Sequence, residues 1–205
     1  MFTYMFDMGG VVVKDFDVAP VIAKEFNMTR EELLEEAGEE LLKALSSGRI
    51  SEKQFWGIFY KKIGISSNRY DWWIRYFNPE RFPEVEKLIN ELRKNNRVIC
   101  ATNTFDSHYR YFLERGDYNL FDRVYASNVI GYAKPDPQFY LYILNHEKIE
   151  PHKIIFMDDK EDNVKAAREI DINAFQVTDP RSLPEQLKDF ENSLNLARSH
   201  LNDNR

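Results

Sequence analysis

The chain has 205 residues, 43% hydrophobic and 30% charged, with only 8 glycines and 8 prolines. That is a globular composition, and the length fits one core with a sizeable insertion. The net charge of −6 argues against a nucleic acid or an acidic membrane surface as partner, but not against a small phosphorylated metabolite whose charge a metal ion offsets.

The start of the chain sets its organisation. Five of the six residues before Asp7 are apolar or aromatic, and Val11-Val12-Val13 follows the turn Asp7-Met8-Gly9-Gly10. A short apolar run is the pattern of a strand buried on both faces of a parallel sheet. Asp7 is then expected at the strand's carboxyl end, where open α/β sheets bind ligands. Gly9 and Gly10 permit a sharp turn and a close approach to a ligand.

Residues 15 to about 80 carry helical rather than strand patterns. Thr29-Arg30-Glu31-Glu32 is a capping-box start for one helix bearing Leu33, Leu34, Ala37, Leu41, Leu42 and Leu45. Ser46-Ser47-Gly48 ends it. Ser51-Glu52-Lys53-Gln54 opens a second helix with Phe55, Ile58 and Phe59 as its apolar stripe, and Tyr70, Trp72, Trp73, Tyr76 and Phe77 make a third cluster. The aromatic residues from Phe55 to Phe77 are expected to be the core of this insertion, which closes at Pro79 and Pro83.

From Glu84 helices and strands alternate. Val85, Leu88, Ile89 and Leu92 form a helical face, and Val98 to Ala101 a strand. Phe105 to Arg115 forms a helix stopped by Gly116, and Arg123 to Ala126 a strand. A helix begins at Pro137, Ile154 to Met157 is a strand, Val164 to Ile170 a helix, and Ala174 to Val177 the last strand. The alternation predicts βαβ units on a parallel sheet. The polar tail beyond Asn192 is expected to fray. Cys100, the single cysteine, lies in an apolar strand and reads as an inert buried thiol, so no intrachain disulfide is possible. Asp7 and Asp15 interrupt the apolar start, and no window reaches the length of a membrane span, so a cytoplasmic protein is expected.

Four segments fall directly after strands and so gather at one sheet edge: Asp7, Thr102-Asn103-Thr104, Lys134 in Gly131-Tyr132-Ala133-Lys134-Pro135, and Asp158-Asp159. Each has a plain structural reading, as a turn residue, a helix cap, a loop lysine and another cap. His108, His146, His152 and His200 show no metal-ligand spacing and read as surface or structural residues. Together the four segments make chemical sense. A carboxylate nucleophile can take a phosphoryl group and pass it to water. An anionic nucleophile facing an anionic substrate needs positive charge, which Lys134 and a Mg²⁺ ion held by Asp7 and Asp159, helped by Asp158, would supply. Thr102, with Asn103 beside it, can hydrogen-bond phosphoryl oxygens.

These motifs, in this order and with a helical insertion after the first, resemble the haloacid dehalogenase superfamily of hydrolases. The resemblance implies a Rossmann-like α/β core with helices on both faces, formed by residues 1–14 and 83–205, and a helical cap formed by 15–82. It makes Asp7 the nucleophile, Thr102 the phosphate-binding hydroxyl, Lys134 the charge-offsetting lysine, and Asp158 and Asp159 metal-site acids. Thr102-Asn103-Thr104, Asp158-Asp159-Lys160-Glu161-Asp162-Asn163 and the Gly48-Arg49-Ile50-Ser51 turn are similar to the sugar-phosphatase branch that includes bacterial α-glucose-1-phosphatase. A sugar phosphate, such as a sugar 1-phosphate, is the substrate this implies.

One position departs from the pattern. Phosphatases of this superfamily usually carry a second Asp two residues after the nucleophile, as general acid and base, and here that position is Gly9. Such a group contributes a factor of roughly 10²–10⁴. Gly9 still offers a carbonyl to Mg²⁺, and the acidic anomeric oxygen of a sugar 1-phosphate needs little protonation. Three rival readings remain: a catalytically silent binding protein, a metal-independent dehalogenase, and a phosphoacceptor signalling domain, whose motif order differs. Phe16, Arg49, Trp56 and Trp72 are the cap residues from which the substrate pocket is expected to draw. The chain is expected to be a monomer or a homodimer.

Overall fold

The computed structural model describes residues 2–203, with side chains as far as Leu196. Its strands are β1 (Thr3–Phe6), β2 (Val13–Lys14), β3 (Glu80–Arg81), β4 (Arg97–Thr102), β5 (Arg123–Ala126), β6 (Ile154–Asp158) and β7 (Asn173–Gln176). Five of them form one parallel sheet in the order β5-β4-β1-β6-β7. The apolar first strand is therefore central, as its composition requires. Alternate residues on the strands face opposite sides: Tyr4, Phe6, Val98 and Cys100 enter one apolar cluster, Met5, Ile99, Ala101 and Phe156 the other. Both sheet faces are thus covered, which gives the expected α/β architecture.

The helices are α1 (Ala19–Glu25), α2 (Arg30–Ala37), α3 (Glu39–Ser46), α4 (Glu52–Lys62), α5 (Trp72–Arg75), α6 (Pro83–Leu92), α7 (Asp106–Arg115), α8 (Ser127–Ile130), α9 (Pro137–Glu147), α10 (Glu161–Arg168) and α11 (Leu183–Asp203). Both capping boxes form. The Thr29 hydroxyl accepts from the Glu32 N–H at 3.1 Å while Glu32 accepts from the Thr29 N–H at 2.7 Å, and Ser51 and Gln54 repeat the arrangement.

Four local expectations need correction. The single helix from residue 30 to 46 is two helices, α2 and α3, parted at Gly38, whose φ of 80° and ψ of 149° no helix can contain. Ile58 is not in the stripe of α4: it is exposed, and Trp56 and Tyr60 are buried instead. Val13 leaves the apolar run to pair with Arg81 in a short antiparallel ribbon, β2–β3, where the chain enters and leaves the helical segment. The tail does not fray at Asn192, because α11 runs on to Asp203, anchored by buried Leu183 and Leu187.

The helical segment has the aromatic interior its composition suggested. Trp56 is fully buried, with Phe55 and Trp73 each 5.1 Å away between ring centres. Cys100 is buried, and burial pushes its thiol well above the ordinary range.

Candidate active site

The sheet order places β1 between β4 and β6, so the carboxyl ends of these three strands open on one crevice. Asp7 follows β1, and its N–H donates to the Met157 carbonyl of β6 at 2.9 Å. Lys134 comes from the loop between α8 and α9 and is almost wholly buried. Its Nζ lies 2.9 Å from Asp7 Oδ1 and 2.6 Å from Asp158 Oδ2, and it donates to the Ala101 carbonyl at 2.7 Å. A buried ammonium needs partners of this kind to remain charged. Burial works against the charge on Lys134, but Asp158 and Asp7 outweigh it and raise its pKa above the usual lysine range. Burial also pushes the Asp7 carboxyl up, to about 7, against the pull of Lys134, with Asp158 and Asp159 adding to the rise.

The two adjacent acids differ in what is left of them. Asp158 accepts from Lys134 Nζ, from the Lys160 N–H at 2.8 Å, and at both oxygens from Asn163 Nδ2 at 3.0 Å. A carboxylate has about four acceptor positions, so Asp158 is filled. Asp159 is the opposite: its Oδ1 is buried with no hydrogen-bond partner. Burial and the neighbouring Asp158 raise its carboxyl. Ligand atoms of Asp7, Asp158 and Asp159 lie within 4.8 Å of one another. Three carboxylates around one buried ammonium leave excess negative charge, and a hard cation on the free Asp159 oxygen would relieve it. A Cβ on Gly10 would meet Asp159 Oδ2 at 2.6 Å, so only glycine lets this carboxylate sit against the turn.

Asn103 clamps Lys134 from outside. Its Nδ2 donates to the Lys134 carbonyl at 2.7 Å and its Oδ1 accepts from the Lys134 N–H at 2.8 Å. Its amide side chain is thus occupied by the protein, and its position fixes the lysine loop. Thr102 ends β4, buried, with its hydroxyl donating to the Asn103 carbonyl at 3.4 Å. It shares the sheet edge with Asp7 without a hydrogen bond between them among the described residues. Gly9 makes the turn after Asp7, and a Cβ there would lie 2.8 Å from Cδ2 of Phe16.

A cavity of about 1110 Å³ rises from Lys134 and Asp159 to α2 and α3. Of the four residues among which the sequence left the pocket lining open, Phe16 lines the cavity, whereas Arg49, Trp56 and Trp72 do not. Trp73 and Phe105 complete the aromatic wall. The sequence reading missed Trp73 as a wall residue and Asn163 as the donor to Asp158. Asn163 lay within the quoted Asp158-to-Asn163 segment, five residues from the acid it holds.

Comparison with known proteins identifies the family and the fold. The haloacid dehalogenase-like hydrolase family matches residues 3–171. Flavin mononucleotide hydrolase 1 of Arabidopsis thaliana is 40% identical over 107 residues, 52% of this chain, and the chain spans only 44% of that protein's length. A sesquiterpene phosphatase of Aspergillus oryzae is 26% identical over 179 residues, covering 85% of this chain and 89% of its own. Among solved structures, a family enzyme of Bacteroides thetaiotaomicron, in complex with magnesium and inorganic phosphate, superposes with a TM-score of 0.69 at 23% identity, over 86% of this chain and 93% of that one. With the site residues at the carboxyl ends of a parallel sheet and the family matched over most of its length, the chain belongs to the haloacid dehalogenase-like hydrolases.

Proposed function

We propose that the protein is a Mg²⁺-dependent phosphatase that hydrolyses a small phosphorylated metabolite through an aspartyl-phosphate on Asp7. The observation that carries the reading is the buried Lys134, 2.9 Å from Asp7 and 2.6 Å from Asp158, at the floor of a large cavity. It keeps a carboxylate at a strand end next to a fixed positive charge, as phosphoryl transfer needs. A carboxylate oxygen of Asp7 attacks phosphorus, the ester P–O bond breaks, and the departing alcohol oxygen takes a proton from water. A second water then attacks phosphorus and gives its proton to solvent. The bond between phosphorus and Asp7 breaks, releasing inorganic phosphate and the free carboxylate. Lys134 offsets charge throughout, while the Thr102 hydroxyl and the Asn103 main chain hydrogen-bond phosphoryl oxygens.

Asp7, Asp159 and the Gly9 carbonyl would hold Mg²⁺, with Asp158 adding charge from behind Lys134. The ion when bound supplies Lewis-acid stabilisation of the phosphoryl oxygens. Residues 1–14 and 83–205 carry the site and residues 15–82 cap it. The phosphatase named among the relatives over most of both lengths supports the reaction class, and the unpartnered Asp159 oxygen favours a metal-using phosphatase over a metal-free dehalogenase.

The test is phosphate release from p-nitrophenyl phosphate with Mg²⁺ and with chelator, beside Asp7→Asn. Release that both chelator and Asp7→Asn reduce to background is expected. Release indifferent to both would overturn the mechanism. No release from a folded, Mg²⁺-binding protein would favour the silent binding protein, with Gly9 as the cause.

A further inference from the structure

We infer that the cavity is built for a bulky, uncharged, largely apolar leaving group, so that the substrate is the monophosphate of a hydrophobic alcohol rather than of a sugar or other polyol. This rests on the phosphatase reading above and names its substrate class.

The first observation is size. About 1110 Å³ is at the upper end of small-molecule sites, and a phosphoryl group fills little of it. The second is the wall. Phe16, Val18, Leu34, Leu42, Trp73 and Phe105 line it, contributed by both the helical segment and the sheet edge. The third is the state of the polar side chains between the two ends. Asn103 is occupied at both heteroatoms by Lys134. His108 donates from Nε2 to the Trp73 carbonyl at 2.8 Å, and Ser46 Oγ donates to the Lys43 carbonyl at 3.3 Å. Arg30 is paired with Asp17 at 2.7 Å. Asp136 accepts from the Gln138 N–H at 2.9 Å, and Glu35, Glu39, Lys43 and Lys160, which also line the cavity, are exposed to solvent. A polyol set against the apolar wall, away from those charges, would leave hydroxyls desolvated without partners, which disfavours binding.

The fourth observation places the specificity in one residue. The Phe16 ring packs so closely on Gly9 that a Cβ there would lie 2.8 Å from Cδ2 and 2.9 Å from Cε2. An aromatic face of the cavity therefore stands against the turn two residues along the chain from Asp7. Phe16 is the specificity-determining residue in this reading.

The experiment compares esters of primary alcohols, which share one leaving-group chemistry: naphthylmethyl phosphate and decyl phosphate against glucose 6-phosphate and glycerol 3-phosphate. Binding is measured by calorimetry on Asp7→Asn with Mg²⁺, and turnover on the wild type. The hydrophobic esters are expected to bind and turn over better by roughly 10–100-fold, the range a hydrophobic pocket commonly supplies. Phe16→Ser is expected to remove most of that preference and Phe16→Leu to keep it, with thermal melts confirming that both fold. Equal or tighter binding of the sugar and polyol phosphates would overturn the inference, even where Asp7-dependent phosphate release leaves the phosphatase reading intact. No release from any ester by the wild type would overturn the phosphatase reading instead, and the binding preference on Asp7→Asn would still decide the substrate class.

Discussion

Gly9 and Phe16 act as a pair, and neither has a meaning without the other. In the sequence Gly9 is a turn residue that lacks the expected carboxylate. In the structure it is the reason an aromatic ring can lie against the main chain beside Asp7, because a Cβ would sit 2.8 Å from that ring. Asp7 and Asp158-Asp159 were legible because charged residues at the ends of apolar strands stand out against their surroundings, whereas Lys134, expected directly after a strand, instead follows α8. The Phe16 contact was not legible, since a ring folding back over a turn leaves no periodic trace. The same holds for Asn163, whose two hydrogen bonds to Asp158 require the turn of α10 to be known. Restoring a carboxylate by Gly9→Asp alone is therefore expected to overpack the site and cost about 1–3 kcal/mol of stability. In a Phe16→Ala background the same substitution is expected to cost far less and to raise turnover of alkyl phosphates. A double-mutant cycle in urea reads the coupling. Additive effects would show that the ring does not occupy that space.

The elements of the core follow directly from their apolar runs, whereas those of the helical segment do not. Leu33, Leu34, Ala37, Leu41, Leu42 and Leu45 keep helical spacing straight through Gly38, so periodicity could not reveal the break between α2 and α3. The break matters for the site, because it lets Leu34 and Leu42 reach the cavity from two helices. The ribbon β2–β3 was equally hidden, since two residues per strand give no pattern to read. Gly38 and Gly48 also rank against each other physically. Both have positive φ, 80° and 67°, but a Cβ on Gly38 meets nothing, whereas on Gly48 it meets the Asn128 carbonyl oxygen at 2.2 Å. Gly38, at φ 80° and ψ 149°, lies in an extended positive-φ region, so Gly38→Ala is expected to cost only the backbone strain of about 1–3 kcal/mol. Gly48→Ala adds a clash between the turn of the helical segment and the α8 main chain, and is expected to cost more. Urea denaturation of the two variants gives the order, and a reversed order would show that the α3–α4 turn does not bear on α8.

At the scale of the whole molecule, the helical segment and the sheet share one continuous apolar cluster, which includes both Trp56 and Phe6. His108 on α7 is part of the joint. Its ring stacks on Phe77 at 3.6 Å between centres, and its Nε2 donates to the Trp73 carbonyl at 2.8 Å. A carbonyl can only accept, so the ring is held with its proton on Nε2. Nothing in the spacing of the four histidines singled this one out, because its role depends on burial alone. Burial lowers its pKa from 6.5 to about 4, the Trp73 hydrogen bond opposing. The folded state then binds fewer protons than the unfolded state between those values, so stability falls as pH drops from about 6.5 toward 4. The size is on the order of 3 kcal/mol by pH 4. Asp7 works in the opposite sense over part of this range, because its carboxyl is raised to about 7 and the folded state takes up its proton first. A comparison that holds Asp7 constant removes that contribution. His108→Gln keeps a donor for the Trp73 carbonyl and has no titration of its own. The difference in urea stability between the wild type and this variant is therefore expected to change between pH 7 and pH 4, with the wild type losing more as acid is added. If the difference stays constant across that range, His108 titrates as a solvated residue and the joint it belongs to is open to water.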